Sequence, residues 1–424
     1  MKPRVAVVGA GWAGLAAAVE LAGRAEVSVY EAGREPGGRA RCSGRGDDRF
    51  DNGQHILLGA YAECLRLMRM VGADPDRLLL RRPLQWWREG GVKLSCPRLP
   101  APLHLLVGLL RADGLAWSDK LGLLRALGGL KAAGYRLPRD CSVADWLAER
   151  GQGGVVSRDF WRPLVLSALN TPPEEASMQV LATVLRDSLG AGRADSDLLL
   201  PAADLSALFP DPAWRWLGER GAALHGGRRV RRLEPGDGRP RVDGAEYDAV
   251  VLATAPYHAA DLLDDAGLRQ RLAAYRYWPI ATVYLRFDAS PRLPAAMMGV
   301  SGGVADWLFD REALVGEAGL VAAVLSAPAE LPEPAELARR VLDDVRRLAP
   351  HLGEPLQSKT IIEKRATFAS AVGLDRPGPL SPWRHVYLAG DWACPDYPAT
   401  LEGAVRSGVA AAAAVMRDLR IERQ

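Results

Sequence analysis

Several things are missing from this 424-residue chain, and each absence argues against a class of function. No charge sign dominates: 54 lysines and arginines stand against 51 acidic residues, a net of +3. No arginine cluster is interleaved with aromatics in the way a single-strand groove needs, so nucleic acid is not an expected partner. Lysine is scarce, six residues to 48 arginines. Cysteine is rare and scattered. Cys42, Cys64, Cys96, Cys141 and Cys394 are odd in number and free of C-x-x-C spacing, which argues against a disulfide framework or a zinc site and fits a reducing cytoplasm. The six histidines lie far apart, so neither a metal cluster nor a nucleophile triad is indicated. Long hydrophobic runs are missing too. The most lipophilic stretch, Leu99 to Leu137, has an uncharged run of twelve residues, whereas a membrane span needs about twenty. The chain starts straight into a strand, so no signal peptide is expected. No repeat or low-complexity tract is present. What is left is 48% hydrophobic and 25% charged, enough for two domains with substantial cores.

The stretch that organises the rest is Val5-Ala-Val-Val-Gly-Ala-Gly-Trp-Ala-Gly. Val5, Val7 and Val8 are β-branched, as in a central parallel strand, and Leu15 to Leu21 has helical composition. Between them Gly9, Gly11 and Gly14 fall in G-x-G-x-x-G spacing. The first permits a tight turn, the second lets a pyrophosphate approach the backbone, and the third lets helix pack on strand. The helix N-terminus then offers unpaired N–H groups to phosphate. Val27 to Tyr30 reads as a second strand ending at Glu31, twenty residues after Gly11, where a carboxylate suits a ribose hydroxyl. A glycine turn alone could be ordinary structure; strand, helix, second strand and acid in register make it a dinucleotide site. Near the other end, His385 to Ala389 reads as a strand closing on Gly390-Asp391, and Thr400-Leu401-Glu402 opens an alanine-rich helix. An aspartate after a buried strand can accept hydrogen bonds from a polyol chain, and the helix N-terminus would stabilise negative charge on a bound cofactor.

Gly37-Gly38-Arg39-Ala-Arg41, close behind Glu31, resembles the flavoprotein superfamily of amine oxidases and phytoene desaturases, where this segment runs beside the flavin pyrophosphate. Asp51-Asn52-Gly53-Gln54-His55, followed by Leu-Gly-Ala-Tyr61, resembles the hydroxysqualene dehydroxylases of hopanoid synthesis, a squalene-associated branch of that superfamily. So does Leu169-Asn170-Thr171-Pro-Pro-Glu174-Glu175-Ala-Ser177. Read from its residues alone, this last segment is a helix, a turn and a new helix, with Thr171 as N-cap and Pro172 at N1. The resemblance implies noncovalent FAD; some amine oxidases attach flavin through a cysteine shortly before the final strand, and this chain has none between Cys141 and Cys394. It further implies that a strand at Val230 contacts adenine and that the strand ending at Thr254 returns the chain to the substrate domain. The expected cofactor contacts are Gly9, Gly11, Trp12, Ala13, Gly14, Glu31, Ala32, Gly38, Arg39, Gly53, Gln54, His55, Val230, Thr254, Gly390, Asp391, Thr400, Leu401 and Glu402.

The expected fold is α/β, with a Rossmann-like FAD-binding domain from discontinuous segments 1–75, 195–265 and 375–424. Segments 76–194 and 266–374 form a mixed α+β substrate domain. Ala62 to Val71 and Glu333 to Leu348 read as helices, and Arg229 to Leu233, Ala281 to Phe287, Val304 to Phe309 and Gly319 to Leu325 as strands. In 99–137, Leu123, Leu127 and Leu130 share a helical face that is either an interfacial amphipathic surface or the inside of a core helix pair. The resemblance implies FAD-dependent reduction of hydroxysqualene to squalene, with loss of the allylic hydroxyl and hydride from flavin N5. The partner would be a long isoprenoid and the place cytoplasmic, peripheral to the inner membrane. Candidates for the general acid are His55, then Asp396 or Tyr397; no metal is expected. The rivals are a carotenoid-type desaturase, an amine oxidase and a noncatalytic prenyl-lipid carrier. Neither the reductant of the flavin nor the oligomeric state is legible.

Overall fold

The computed structural model describes residues 1–44, 46–235 and 238–421, so positions 45, 236, 237 and 422–424 of the expected FAD-binding segments lie outside the described residues. Five strands form a wholly parallel sheet in the order Ala223–His225, Glu26–Tyr30, Arg4–Val8, Ala249–Leu252 and Val386–Leu388. Side chains alternate across it. Val5 and Val7 face a core shared with helices Trp12–Leu21 and Leu401–Asp418, while Ala6 and Val8 face Val250, Leu252, Leu388 and Trp392 on the other side. Burial on both faces explains why Val5 to Val8 carries no polar residue. The α/β, Rossmann-like fold expected of the sequence is thus the one observed.

Two glycines set how closely helix and strand approach. A Cβ on Gly14 would stand 1.9 Å from the Gly9 carbonyl oxygen, and one on Gly408 would stand 2.1 Å from the Ala13 carbonyl oxygen. Gly14 therefore seats the first helix on the first strand, and Gly408 lets the last helix pack against the first.

A second, antiparallel sheet runs in the order Met297–Gly299, Trp307–Asp310, Leu320–Ser326, Tyr277–Arg286 and Gln357–Phe368. Ala281, Val283 and Leu285 pack on Leu337, Val341 and Val345 of helix Pro334–Leu348. The alternate residues Ile280 and Thr282 face the opposite way, into a cavity. A third layer consists of helices Leu103–Leu110, Trp117–Ala132, Val143–Glu149, Arg162–Leu169 and Met178–Leu189 around Trp146 and Trp161.

Two local expectations are corrected and one open alternative is decided. Arg229 to Leu233 is not a strand: pairing begins only at Leu233–Glu234, and Val230 lies in an irregular stretch before it. Thr171 is not a helix cap. Its hydroxyl donates to the Leu169 carbonyl and accepts from the Ser370 N–H, and Ser177 caps the helix that starts at Met178. The face of Leu123, Leu127 and Leu130 is not interfacial: Leu123 and Leu130 are core residues, and the exposed side is formed by Leu103, Leu106, Leu110, Trp117 and Leu121.

Gly408→Val should lower stability by about 1–3 kcal/mol, the usual cost of overpacking, because the added side chain meets a backbone carbonyl that cannot rotate away. Denaturant unfolding of the cofactor-free protein checks this; an unchanged midpoint would contradict the close helix packing.

Candidate active site

A cavity of about 1300 Å³ extends from the glycine turn at the end of strand Arg4–Val8 to the leucine-rich helices. The segments that meet there are separated by most of the chain. Gly9 takes φ +106°, where a Cβ would fall 2.6 Å from the Ala253 carbonyl oxygen, so only glycine fits this turn. Gly11 and Gly37 form a parallel bridge, with the Gly37 N–H donating to the Ala10 carbonyl at 2.8 Å. A Cβ on Gly11 would meet nothing nearer than Gly38 Cα at 3.9 Å, so the space beside it belongs to the cavity.

Glu31 is held at the cavity wall by the N–H groups of Ala10 (2.8 Å) and Gly33 (2.7 Å), one on each carboxylate oxygen. Trp12 is pinned by its indole N–H to the Ala40 carbonyl. Arg39 donates to Asp391 at 2.6 Å and to the Ala366 carbonyl at 2.6 Å, which ties the first glycine-rich loop to the Gly390-Asp391 turn. The Thr400 side chain caps helix Leu401–Asp418 by accepting from the Gly403 N–H at 3.1 Å, and Thr400 and Leu401 line the cavity.

All the expected contact residues and candidate acids line this cavity except three. Gly14 is spent on packing. Glu402 is fully buried away from it, accepting from the N–H groups of Glu63 and Cys64 at the start of helix Ala62–Met70 and pairing with Arg406 at 2.8 Å. Its carboxylate is a helix cap in three dimensions, which its position in the sequence could not reveal. Asp396, a candidate acid, is exposed and outside the cavity lining. The other two candidates line it. Burial pushes the Tyr397 phenol up, and Arg406 stacks over its ring at 4.3 Å. His55 Nδ1 lies 2.8 Å from the Gly53 carbonyl oxygen, which can only accept, so Nδ1 carries the proton and Nε2 is the titrating atom. Burial, with the Arg39 charge, lowers the His55 pKa against that hydrogen bond. The neutral imidazole is favoured.

Sequence reasoning missed the rest of the wall. Thr254 was expected for its strand, but its hydroxyl and that of Thr282 are buried without a partner among the described residues, and both line the cavity. Trp86, Phe160, Trp307 and Phe309 enclose the middle, with Trp86 and Trp307 edge to face at 4.9 Å. Leu105, Leu106, Leu123, Leu124 and Leu127 enclose the far end. Period-two alternation could have paired Thr282 with Ile280; nothing in one sequence says which face meets a cavity.

The residues at the glycine end fit FAD. The backbone is bare where a pyrophosphate would approach, Glu31 stands at the end of the second strand, and two orphaned hydroxyls await partners. Cys96 alone among the cysteines lines the cavity, at the leucine end beside Gly108, where burial pushes its thiol up to about 11. Among the described residues no group of histidine, cysteine and carboxylate side chains could hold a metal.

Comparison with known proteins gives the same picture. The model of the flavin containing amine oxidoreductase family matches residues 12–416. The hydroxysqualene dehydroxylase of Rhodopseudomonas palustris is 33% identical, covering 98% of this chain and 99% of the relative. That of Sinorhizobium fredii is 30% identical over 97% of this chain and 98% of its own. Cyclohexylamine oxidase from Brevibacterium oxydans has a similar structure, with a TM-score of 0.72 at 20% identity, covering 99% of this chain and 100% of its own.

FAD should be bound tightly and without a covalent link. Acid precipitation should leave the yellow colour in the supernatant, and colour in the pellet would contradict the assignment. Gly11→Val should abolish flavin binding, because its side chain would fill the space left bare beside Gly38.

Proposed function

The chain belongs to the flavin containing amine oxidoreductase family, and from that premise we propose that this FAD-dependent oxidoreductase reduces hydroxysqualene to squalene. The observation that carries the reading is the continuity of the cavity: glycine turns that fit a dinucleotide open, without a dividing wall, into a chamber of leucine and aromatic side chains. A small amine would leave most of that chamber unfilled; a long isoprenoid fills it.

Bound, reduced FAD supplies the hydride that replaces the departing allylic hydroxyl. The protein's own residues have three tasks. The first is to hold the cofactor, through Gly9, Gly11, Gly38 and Glu31 at one end and Asp391 and Thr400 at the other. The second is to keep water from the cation left by the hydroxyl, which the leucine walls do by leaving it no polar site. The ring faces of Trp86, Phe160 and Trp307 would favour positive charge beside them. The third is to protonate the departing oxygen, and we assign this to His55 through Nε2. Because burial lowers the His55 pKa, little imidazolium exists at neutral pH, and what exists is a strong donor.

We further propose that the protein works at a membrane surface. No helix among the described residues is long and apolar enough to cross a membrane. Instead Leu99, Leu103, Leu106, Leu110, Trp117 and Leu121 are all exposed within one segment of the chain, with Trp117 at 66%, and Leu106 is also part of the cavity lining. The apolar surface therefore meets the cavity at its leucine end. Holding thirty carbons in water would cost on the order of 20 kcal/mol at roughly 0.8 kcal/mol per carbon group, so the substrate stays in lipid until it enters this cavity. Such a contact fits a step in hopanoid synthesis.

Anaerobic enzyme reduced with dithionite and mixed with hydroxysqualene should regain its oxidised flavin absorbance while forming one squalene per flavin. Phytoene should leave the oxidised enzyme unchanged; bleaching by phytoene, or no reoxidation by hydroxysqualene, would replace this reading with a desaturase. The reoxidation rate should fall as pH rises through the depressed His55 pKa, since the donor is then lost. His55→Ala should slow it by roughly 10² to 10⁴ and flatten the profile. An unchanged rate moves the proton to the Tyr397 phenol, whose raised pKa predicts no dependence near neutrality. In liposome flotation, Leu103→Asp with Leu106→Asp should leave the protein at the bottom of the gradient; equal flotation would acquit this surface. Leu109, buried at 7%, belongs to the core and would report on folding instead.

A further inference from the structure

The reaction proposed above consumes two electrons and two protons per turnover and releases the hydroxyl as water, so an external reductant must refill the site. The leucine end of the cavity is apolar. At the glycine end it reaches the surface through charged residues: Arg228, Arg229, Arg231 and His258 are exposed and line it. Four arginines fall within Arg228-Arg-Val-Arg-Arg232, on the stretch that leaves the edge strand of the parallel sheet. Arg232 is paired with Glu234 at 2.7 Å. Arg228 lies over the Tyr30 ring at 5.3 Å, and the side chains of Arg229 and Arg231 have no carboxylate partner among the described residues. From the other side, strand Gln357–Phe368 brings Arg365 over the Tyr257 ring at 4.4 Å and the Tyr277 ring at 5.8 Å. Tyr257 and His258 sit on the helix that follows strand Ala249–Leu252. Arg228, Arg229, Tyr257, His258 and Glu363 line the same stretch of cavity, so these segments converge there. The carboxylates at this mouth are Asp261 and Glu363, with Asp243 beneath the arginine stretch, where it accepts from the Arg231 and Arg232 N–H groups at 3.0 and 2.9 Å. Arg228, Arg229, Arg231 and Arg365 outnumber these three carboxylates and leave the mouth positive.

We infer that this mouth, formed by Arg228, Arg229, Arg231 and Arg365 around Tyr257, is the docking surface for an acidic electron-carrier protein that reduces the enzyme by two successive one-electron transfers. The inference rests on the reductive reading of the site. A quinone needs an apolar entry, and the exposed leucines lie at the other end of the cavity. A nicotinamide dinucleotide would need a second phosphate-binding turn, and the described residues hold one parallel sheet and one G-x-G-x-x-G turn, already used. An acidic protein needs only complementary charge and access to the cavity, and the mouth offers both. In balance, two molecules of reduced carrier each lose one electron, two protons come from water, and the enzyme gains the two electrons that later leave with the hydride.

The test uses FAD-loaded enzyme and an acidic [2Fe–2S] ferredoxin as probe. Oxidised ferredoxin should bind in calorimetric titration at about 20 mM salt and lose roughly ten-fold or more in affinity by about 200 mM, as screening shortens the reach of the charges. Arg229→Glu with Arg231→Glu should weaken binding at low salt by a similar factor with the ratio of flavin to protein absorbance unchanged. Reversing Arg339 and Arg340, on helix Pro334–Leu348 in the other half of the chain, should leave binding as it was. Salt-independent binding, equal binding by the Arg229/Arg231 variant, or no binding at low salt would overturn the inference. So would loss of FAD from that variant, which would assign these arginines to the cofactor, or stoichiometric reduction of the wild type by NADPH. Reoxidation of dithionite-reduced enzyme by hydroxysqualene needs no carrier, so it stands or falls separately.

Discussion

Everything in this protein depends on two backbones being able to approach each other closely at the start of the first helix. Gly38, at φ +62°, would place a Cβ 3.2 Å from Gly11 Cα, and Gly37, at φ +114°, would place one 2.8 Å from the Arg41 side chain. With any other residue the loop after Glu31 would swing away from the first turn. The consequences would spread, because Arg39 in that loop holds Asp391, and the Asn52 side chain holds the Arg39 carbonyl at 2.7 Å. Glycines in four residue-lengths of chain thus fix the relative positions of residues 9, 39, 52 and 391.

The second physical theme is the change of character along one cavity. At the glycine end the wall is backbone N–H, carboxylate and hydroxyl; in the middle it is aromatic; at the far end it is leucine. A cofactor with a charged pyrophosphate and a flat apolar ring suits the first two, and a hydrocarbon suits the last two. The aromatic zone is therefore where the two would meet. The exposed leucines and Trp117 continue the apolar gradient outside the protein, while the arginines around Tyr257 continue the polar one. On the proposals above, substrate and electrons would arrive from opposite ends.

Legibility from sequence followed the range of the interactions. The first turn, the acid at Glu31 and the Gly390-Asp391 turn depend on neighbours within a few residues, so each could be read from the sequence, and the fold brings them to one cavity. Glu402 could not: its carboxylate serves helix Ala62–Met70, more than three hundred residues away, and only the fold shows that this cap displaces it from the cavity. Thr171 has the composition of an N-cap, yet a long-range bond from Ser370 takes its hydroxyl and passes the capping role to Ser177. The leucine repeat at 123, 127 and 130 announces an amphipathic helix without saying which side is wet; Trp146 and Leu181 cover that face, and the opposite side carries Leu121 and Trp117. Asp396 was a candidate acid, but its side chain is exposed, with the flanking Pro395 and Tyr397 carbonyls held by Arg376.

The central claim is that one continuous cavity holds cofactor and isoprenoid end to end. The most direct measurement is photolabelling of FAD-loaded enzyme with a squalene analogue that carries a diazirine midway along its chain, followed by mapping of the labelled peptides. The account predicts label in the wall segments around Leu105 to Leu127, Phe160 to Leu169 and Trp307, with hydroxysqualene competing it away. Label confined to the outer surface, or unaffected by hydroxysqualene, would contradict it.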